Sequence, residues 1–104
     1  MYIIQTNCST KAEAKKIGMR LVELRLAASI NYWQVSSIYH FEGRVSEDIE
    51  WRLMIKTVEI HKQLVIDEIG KLHSYKNPVI WGNEVVSDEN TQNWLVANIN
   101  NTNV

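Results

Sequence analysis

The sequence predicts an α+β fold: a four-stranded antiparallel sheet with helices on one face, the split βαβ plan of a ferredoxin-like sandwich, and an extra helix at the C-terminus. Three observations carry that expectation. Short apolar or alternating runs are interleaved with runs of helical period in the order β-α-β-β-α-β-α. The middle of the chain is one long hairpin, "INYWQVSSIYHF" followed by "IEWRLMIKT" around a Glu42-Gly43-Arg44 break. Finally, 104 residues with 45% hydrophobic and 22% charged side chains fit one globular domain, residues 1–104.

The elements follow in order. "YIIQT" from Tyr2 to Thr6 is an apolar run suited to a buried strand. "TKAE" then forms a capping box, with Thr10 accepting from the amide of Glu13 and Glu13 reaching back. Ala14, Ile17, Leu21, Leu24 and Ala28 recur at helical spacing, while Lys11, Lys15, Lys16 and Arg20 fall on the other side. Gly18 inside this helix marks close helix–sheet contact. In the return strand of the hairpin, Ile49, Trp51, Leu53 and Ile55 share one face; Glu50, Arg52, Met54 and Lys56 share the other. Thr57 is placed to cap a second helix running to about Leu72, with Val65, Ile69 and Leu72 on its apolar stripe. "HSYKNP" is a loop, because Pro78 disfavours helix in the residue before it. "VIWGNEVV" is a weaker strand, with Gly82 suggesting a bulge. Ser87 or Asp88 opens the last helix, carrying Trp94, Leu95 and Ile99, and "NNTNV" is a polar tail.

Charge and composition exclude several classes of partner. Eleven basic and twelve acidic residues are well mixed and give a net charge of −1, so there is no footprint for nucleic acid or anionic lipid. No apolar run approaches the ~20 residues of a membrane span, and the N-terminus lacks the basic lead of a signal peptide. A single cysteine, Cys8, forbids an intrachain disulfide. The sequence reads as a soluble, cytoplasmic protein.

The hairpin is too long for its own domain. Twelve residues from Ile30 extend roughly 40 Å, whereas a compact chain of this size has a radius of gyration near ~13 Å. A projecting edge rich in aromatics would be an aggregation hazard in a monomer, and pairing with other subunits resolves it. The alternative is a bend at Ser36–Ser37 that keeps the strand within one chain.

The stretches "CSTKAEAKKIGMRLVELRLAASIN", "SIYHFEGRVSEDIEWRLMIKT", "KLHSYKNP" and the final "NWL" resemble the CutA divalent-cation tolerance family, in the right order and over nearly the whole chain. That resemblance implies a ferredoxin-like subunit in a tight homotrimer, each long hairpin extending the sheets of its neighbours. Some features depart from the family pattern: Ser29 stands where cysteine is usual, Ser74 replaces a proline, Val79 replaces a glutamate, and "IWGNEVV" replaces an aliphatic-proline ending about one residue longer.

The chemistry is sparse. There is no Gly-x-Ser-x-Gly, phosphate loop or Cys-x-x-Cys, so no catalytic residue is assigned and an enzyme is the least favoured reading. Cys8 ends the first strand at the mouth of a helix, where the dipole favours a thiolate; a lone strand-end cysteine is more often a small buried packing residue. His40, His61 and His73 show no short ligand spacing, so a metal site must be assembled across the fold. The resemblance implies one such set, Cys8, Glu50 and His73, for copper or another divalent cation, a sensible thiolate–imidazole combination. Against it, Glu50 reads as a solvated carboxylate and His73 as a helix-end imidazole. Tyr39, Phe41, Trp51 and Tyr75 either line a subunit cleft or pack an interface. Two function classes follow: a metal-binding or metal-responsive trimer, and a non-metal adaptor or small-ligand sensor similar to nitrogen-regulatory signalling trimers, with room for an unidentified protein partner.

Overall fold

The computed structural model describes residues 1–100. Its elements are β1 (Tyr2–Cys8), α1 (Lys11–Glu23), β2 (Ser29–Phe41), β3 (Arg44–Thr57), α2 (Lys62–Leu72), β4 (Ile80–Glu84) and α3 (Glu89–Asn98), in the order the sequence predicts. The four strands form one antiparallel sheet in the order β2-β3-β1-β4, the ferredoxin-like arrangement. The expected polar tail beyond Asn100 lies outside the described residues.

The core lies between the sheet and the first two helices. Ile4, Thr6 and Cys8 point inward from β1, and Leu53, Ile55 and Thr57 from β3. They meet Ala14, Ile17 and Leu21 of α1 and Val65 and Ile69 of α2, all fully buried. Gly18 does permit close contact: a Cβ there would collide with the side chain of Ile30 on β2. The Thr10 half of the capping box forms as expected, the Glu13 amide donating to Thr10 Oγ1 at 3.1 Å, but the Glu13 carboxylate reaches back one residue further and accepts from the Ser9 amide at 3.4 Å.

Several local expectations are corrected. The first helix stops at Glu23, and Arg25 turns the chain with φ of 57°, so Ala28 is not on the helical stripe and Leu24 is half exposed. Thr57 does not cap α2; it ends β3, and its hydroxyl donates to the Leu26 carbonyl at 2.6 Å. A short 3-10 turn, Glu59–His61, leads into the helix instead. Gly82 makes no bulge, since β4 pairs with β1 in unbroken register from Tyr2–Glu84 to Thr6–Ile80. It is required because a Cβ there would run into the Ile3 carbonyl oxygen. In α3, capped by Asp88 through the Thr91 amide, Leu95 is buried while Trp94 faces outward.

The hairpin overshoots the body. β2 has 13 residues and β3 has 14, and they pair continuously from Ser29–Lys56 to Phe41–Arg44. Pairing runs through Ser36–Ile49 and Ser37–Asp48, so the ladder is not interrupted where a bend was the alternative. The chain measures 45 × 26 × 21 Å, and Ile38, Val45 and Ile49 are 60–71% exposed on the projecting part. Ile49 therefore shares the parity of Leu53 and Ile55 without sharing their burial, because it lies past the helices.

Candidate functional site

The side chains of interest gather where β1 ends. β4 pairs with β1 only as far as Thr6, which leaves the Asn7 carbonyl beyond the last rung on that side. His73, the residue that terminates α2, fills the position. Its Nε2 donates to the Asn7 carbonyl at 2.9 Å and lies 3.3 Å from Thr6 Oγ1, whose own hydroxyl donates to the Val79 carbonyl at 2.9 Å. The Tyr75 amide donates to His73 Nδ1 at 3.1 Å. A carbonyl can only accept and an amide N–H can only donate, so the imidazole is the neutral tautomer protonated on Nε2. The helix-end reading of His73 is thus correct for its place in the chain, but its ring serves β1 rather than helix carbonyls.

The Nδ1 edge faces Glu13, and Cys8 lies close by. Glu13 Oε1 lies 3.7 Å from Nδ1, and Oε2 accepts the Ser74 amide at 3.0 Å. Cys8 Sγ, a Glu13 oxygen and a His73 ring nitrogen all lie within 4.8 Å of one another. Cys8 is fully buried and His73 nearly so. The helix-dipole expectation of a thiolate fails here. Burial first, then the charge and hydrogen bond of Glu13 and the charge of Glu50, push the Cys8 thiol up to about 12. Cys8 rests as a thiol donating to Glu13, a poor nucleophile until something replaces its proton.

The sequence expectation put Glu50 beside Cys8 and His73. Cys8 pairs with Trp51, and Glu50 therefore points to the other face of the sheet. It is not a solvated carboxylate either: only 8% exposed, it accepts from the Tyr75 hydroxyl at 2.7 Å and from Asn7 Nδ2 at 3.4 Å. Tyr75 spans the sheet edge, its ring 4.8 Å from that of His73 and its hydroxyl on Glu50. Its phenol is raised above the ordinary tyrosine range, by burial first and then by the bond to Glu50. Glu13 entered the sequence reading only as a capping residue. A capping-box glutamate turns back toward the strand end, which is the signal that could have placed it near Cys8.

On that outer face a cleft of about 1500 Å³ separates the hairpin from the loop after α2. Tyr39, Phe41 and Tyr75 line it, with Asp48 and Glu50; Trp51 does not, being packed 6.4 Å from Tyr32 and under the Lys11 ammonium on the helix side. Tyr39 donates to Asp48 at 2.5 Å. This hydrogen bond, above all, raises the Tyr39 phenol.

The family model described as CutA1 divalent ion tolerance protein matches residues 2–98. The chain belongs to the CutA1 family. A CutA of Thermotoga maritima, named a divalent-cation tolerance protein, is 32% identical over 99 residues, covering 91% of this chain and 95% of that protein. The crystal structure of CutA1 from Pyrococcus horikoshii superposes with a TM-score of 0.93 at 28% identity, over 96% of this chain and 99% of that one. A CutA from Nostoc sp. PCC 7120, described as PII-like and solved in apo form, superposes with a TM-score of 0.85 at 28% identity, covering 91% and 93% of the two chains. A CutA from Archaeoglobus fulgidus, described as periplasmic, superposes with a TM-score of 0.92 at 26% identity, covering 96% of this chain and all of that one. Among the described residues of this CutA-family chain, no helix is long and apolar enough to cross a membrane.

Proposed function

We propose that this protein works in divalent-cation tolerance as a cytoplasmic homotrimer whose subunits each hold a soft or borderline metal ion, copper above all. The observation that carries the reading is the convergence of Cys8, Glu13 and His73 within 4.8 Å of one another at the end of β1. The donor set fits the ion. A thiolate and an imidazole select copper or zinc over hard cations such as Mg²⁺, and Glu13 supplies an anionic oxygen. His73 is oriented for the task, since its Nε2 proton is fixed on the Asn7 carbonyl, which leaves Nδ1, 3.7 Å from Glu13, as the nitrogen able to ligate. Glu50 adds negative charge from across the sheet, close enough to act on the Cys8 thiol. Cys8 gives up its proton to solvent when it ligates.

Assembly is read from the hairpin. The free edges of β2 and β4 and the exposed Ile38, Val45 and Ile49 favour pairing through residues 30–57 with neighbouring copies. The test is titration with copper(I) under reductant, comparing the native trimer with Cys8→Ser and His73→Ala. Loss of affinity in both variants is the expected result; binding as tight as native in both would sink the reading. A second reading, a small-ligand sensor without metal, is favoured by the aromatic and acidic cleft beside Tyr75. It requires that cleft to stay open between subunits.

A further inference from the structure

Tyr75 touches both the buried cluster and the outer cleft. Its amide donates to His73 Nδ1 at 3.1 Å, and its hydroxyl donates to Glu50 Oε2 at 2.7 Å. His73 has only one lone pair in the ring plane to offer. Nε2 carries the proton held by the Asn7 carbonyl at 2.9 Å, so Nδ1 is the accepting nitrogen. Nδ1 is also the nitrogen 3.7 Å from Glu13. The Tyr75 amide therefore occupies the lone pair that a cation at Cys8 and Glu13 would need. One lone pair cannot serve both at full strength.

Resting on the cation reading above, we infer that Tyr75 couples the Cys8–Glu13–His73 cluster to the cleft. When Nδ1 ligates a cation, the Tyr75 amide loses its acceptor and the loop after α2 shifts. The same residue then draws its phenol from Glu50, a carboxylate 8% exposed that has no lysine, arginine or histidine nitrogen within 4 Å among the described residues. Glu50, which lines the cleft, is then left with the 3.4 Å bond from Asn7 Nδ2 and exposes the oxygen that Tyr75 covered. Occupancy of the buried cluster thereby alters the charge presented on the outer face, about the edge of β1. Linkage makes the effect reciprocal: whatever detaches Tyr75 from Glu50 tightens binding at the cluster.

The test uses Zn²⁺, a diamagnetic ion suited to thiolate and imidazole, on the assembled native protein followed by amide resonances and hydrogen exchange. Saturation with Zn²⁺ is expected to speed exchange of the Tyr75 amide at least about tenfold. The His73 amide, bonded to the Ile69 carbonyl at 2.9 Å at the end of α2, is expected to stay protected. Tyr75→Phe keeps the amide and the ring but removes the bond to Glu50, and should tighten Zn²⁺ binding by roughly three- to tenfold. If Zn²⁺ binding is lost in Cys8→Ser but the Tyr75 amide does not respond, the coupling is wrong and the cation site stands. Unchanged or weaker affinity in Tyr75→Phe also overturns the coupling. If the native protein binds no Zn²⁺, or Cys8→Ser and His73→Ala bind it as tightly, both the site and the coupling fall.

Discussion

Cys8 and Trp51 face each other directly across the β1–β3 ladder, so Glu50, one residue before Trp51, lies on the opposite face of the sheet from the thiol. The carboxylate beside Cys8 is Glu13, which comes from the first turn of α1. The two acids should therefore differ in their effect on copper. Glu13→Gln removes a neighbour of both Cys8 and His73 and should weaken copper(I) binding by about 100-fold. Glu50→Gln removes charge at a distance and should weaken it by about tenfold or less. Competition titration against a chelator of known affinity measures both, and the reverse ranking would return Glu50 to the site.

The assembly prediction follows from burial along the hairpin. Leu53→Ala empties a fully buried position and should destabilise the subunit by about 2–5 kcal/mol. Ile49→Lys alters a residue 60% exposed on the projecting part, so the fold should persist while the trimer dissociates. Light scattering should give about three times the 12.1 kDa chain mass for the native protein and less for Ile49→Lys. Thermal unfolding of the native protein should also depend on its concentration. A native monomer at micromolar concentration would contradict the assembly.

Trp51→Ala tests the strand register. The ring is half buried between Tyr32 and Lys11, so truncation should destabilise by about 1–3 kcal/mol, less than for a fully buried tryptophan. An unchanged melting curve would show that the ring faces solvent and that the register is wrong by one residue.

The Cys8 thiol gives a pH signature. Its pKa rises from 9.0 to about 12 on folding, so the folded chain holds this proton more tightly than the unfolded chain. That contribution is fully present below about pH 9 and is lost as pH climbs from there toward about 12. Cys8→Ala should flatten this part of the stability curve, as read by denaturant unfolding at fixed pH steps. A native curve no steeper than that of the variant would show that the thiol is not perturbed.

Element order and the inward faces were legible because each rests on a local period: alternation in Leu53 and Ile55, helical spacing in Ala14, Ile17 and Leu21. The overshooting hairpin was legible from length alone. What misled were local signals overridden by tertiary contacts. Thr57 looks like a cap, yet its hydroxyl is taken by the Leu26 carbonyl. Ile49 keeps the parity of the core but lies beyond the helices that make it one. At Cys8, burial and the adjacent Glu13 charge favour the proton and outweigh the helix dipole that alone would favour a thiolate. Cys8 and His73 were both singled out, and they do meet. Glu13 was missed because its role as a cap concealed its nearness to both. Glu50 was misjudged because alternation shows a face without showing what covers it, and Tyr75 covers it.

The most direct test of the cation site is a crystal of the assembled protein soaked with copper(I) under reductant, with data collected at the copper absorption edge. The predicted result is one anomalous peak per subunit within bonding distance of Cys8 Sγ and His73 Nδ1, with a Glu13 oxygen beside it and the Tyr75 amide turned away. A peak held by other residues, or no peak in a soak that leaves Cys8 reduced and accessible to a mercurial, would contradict it.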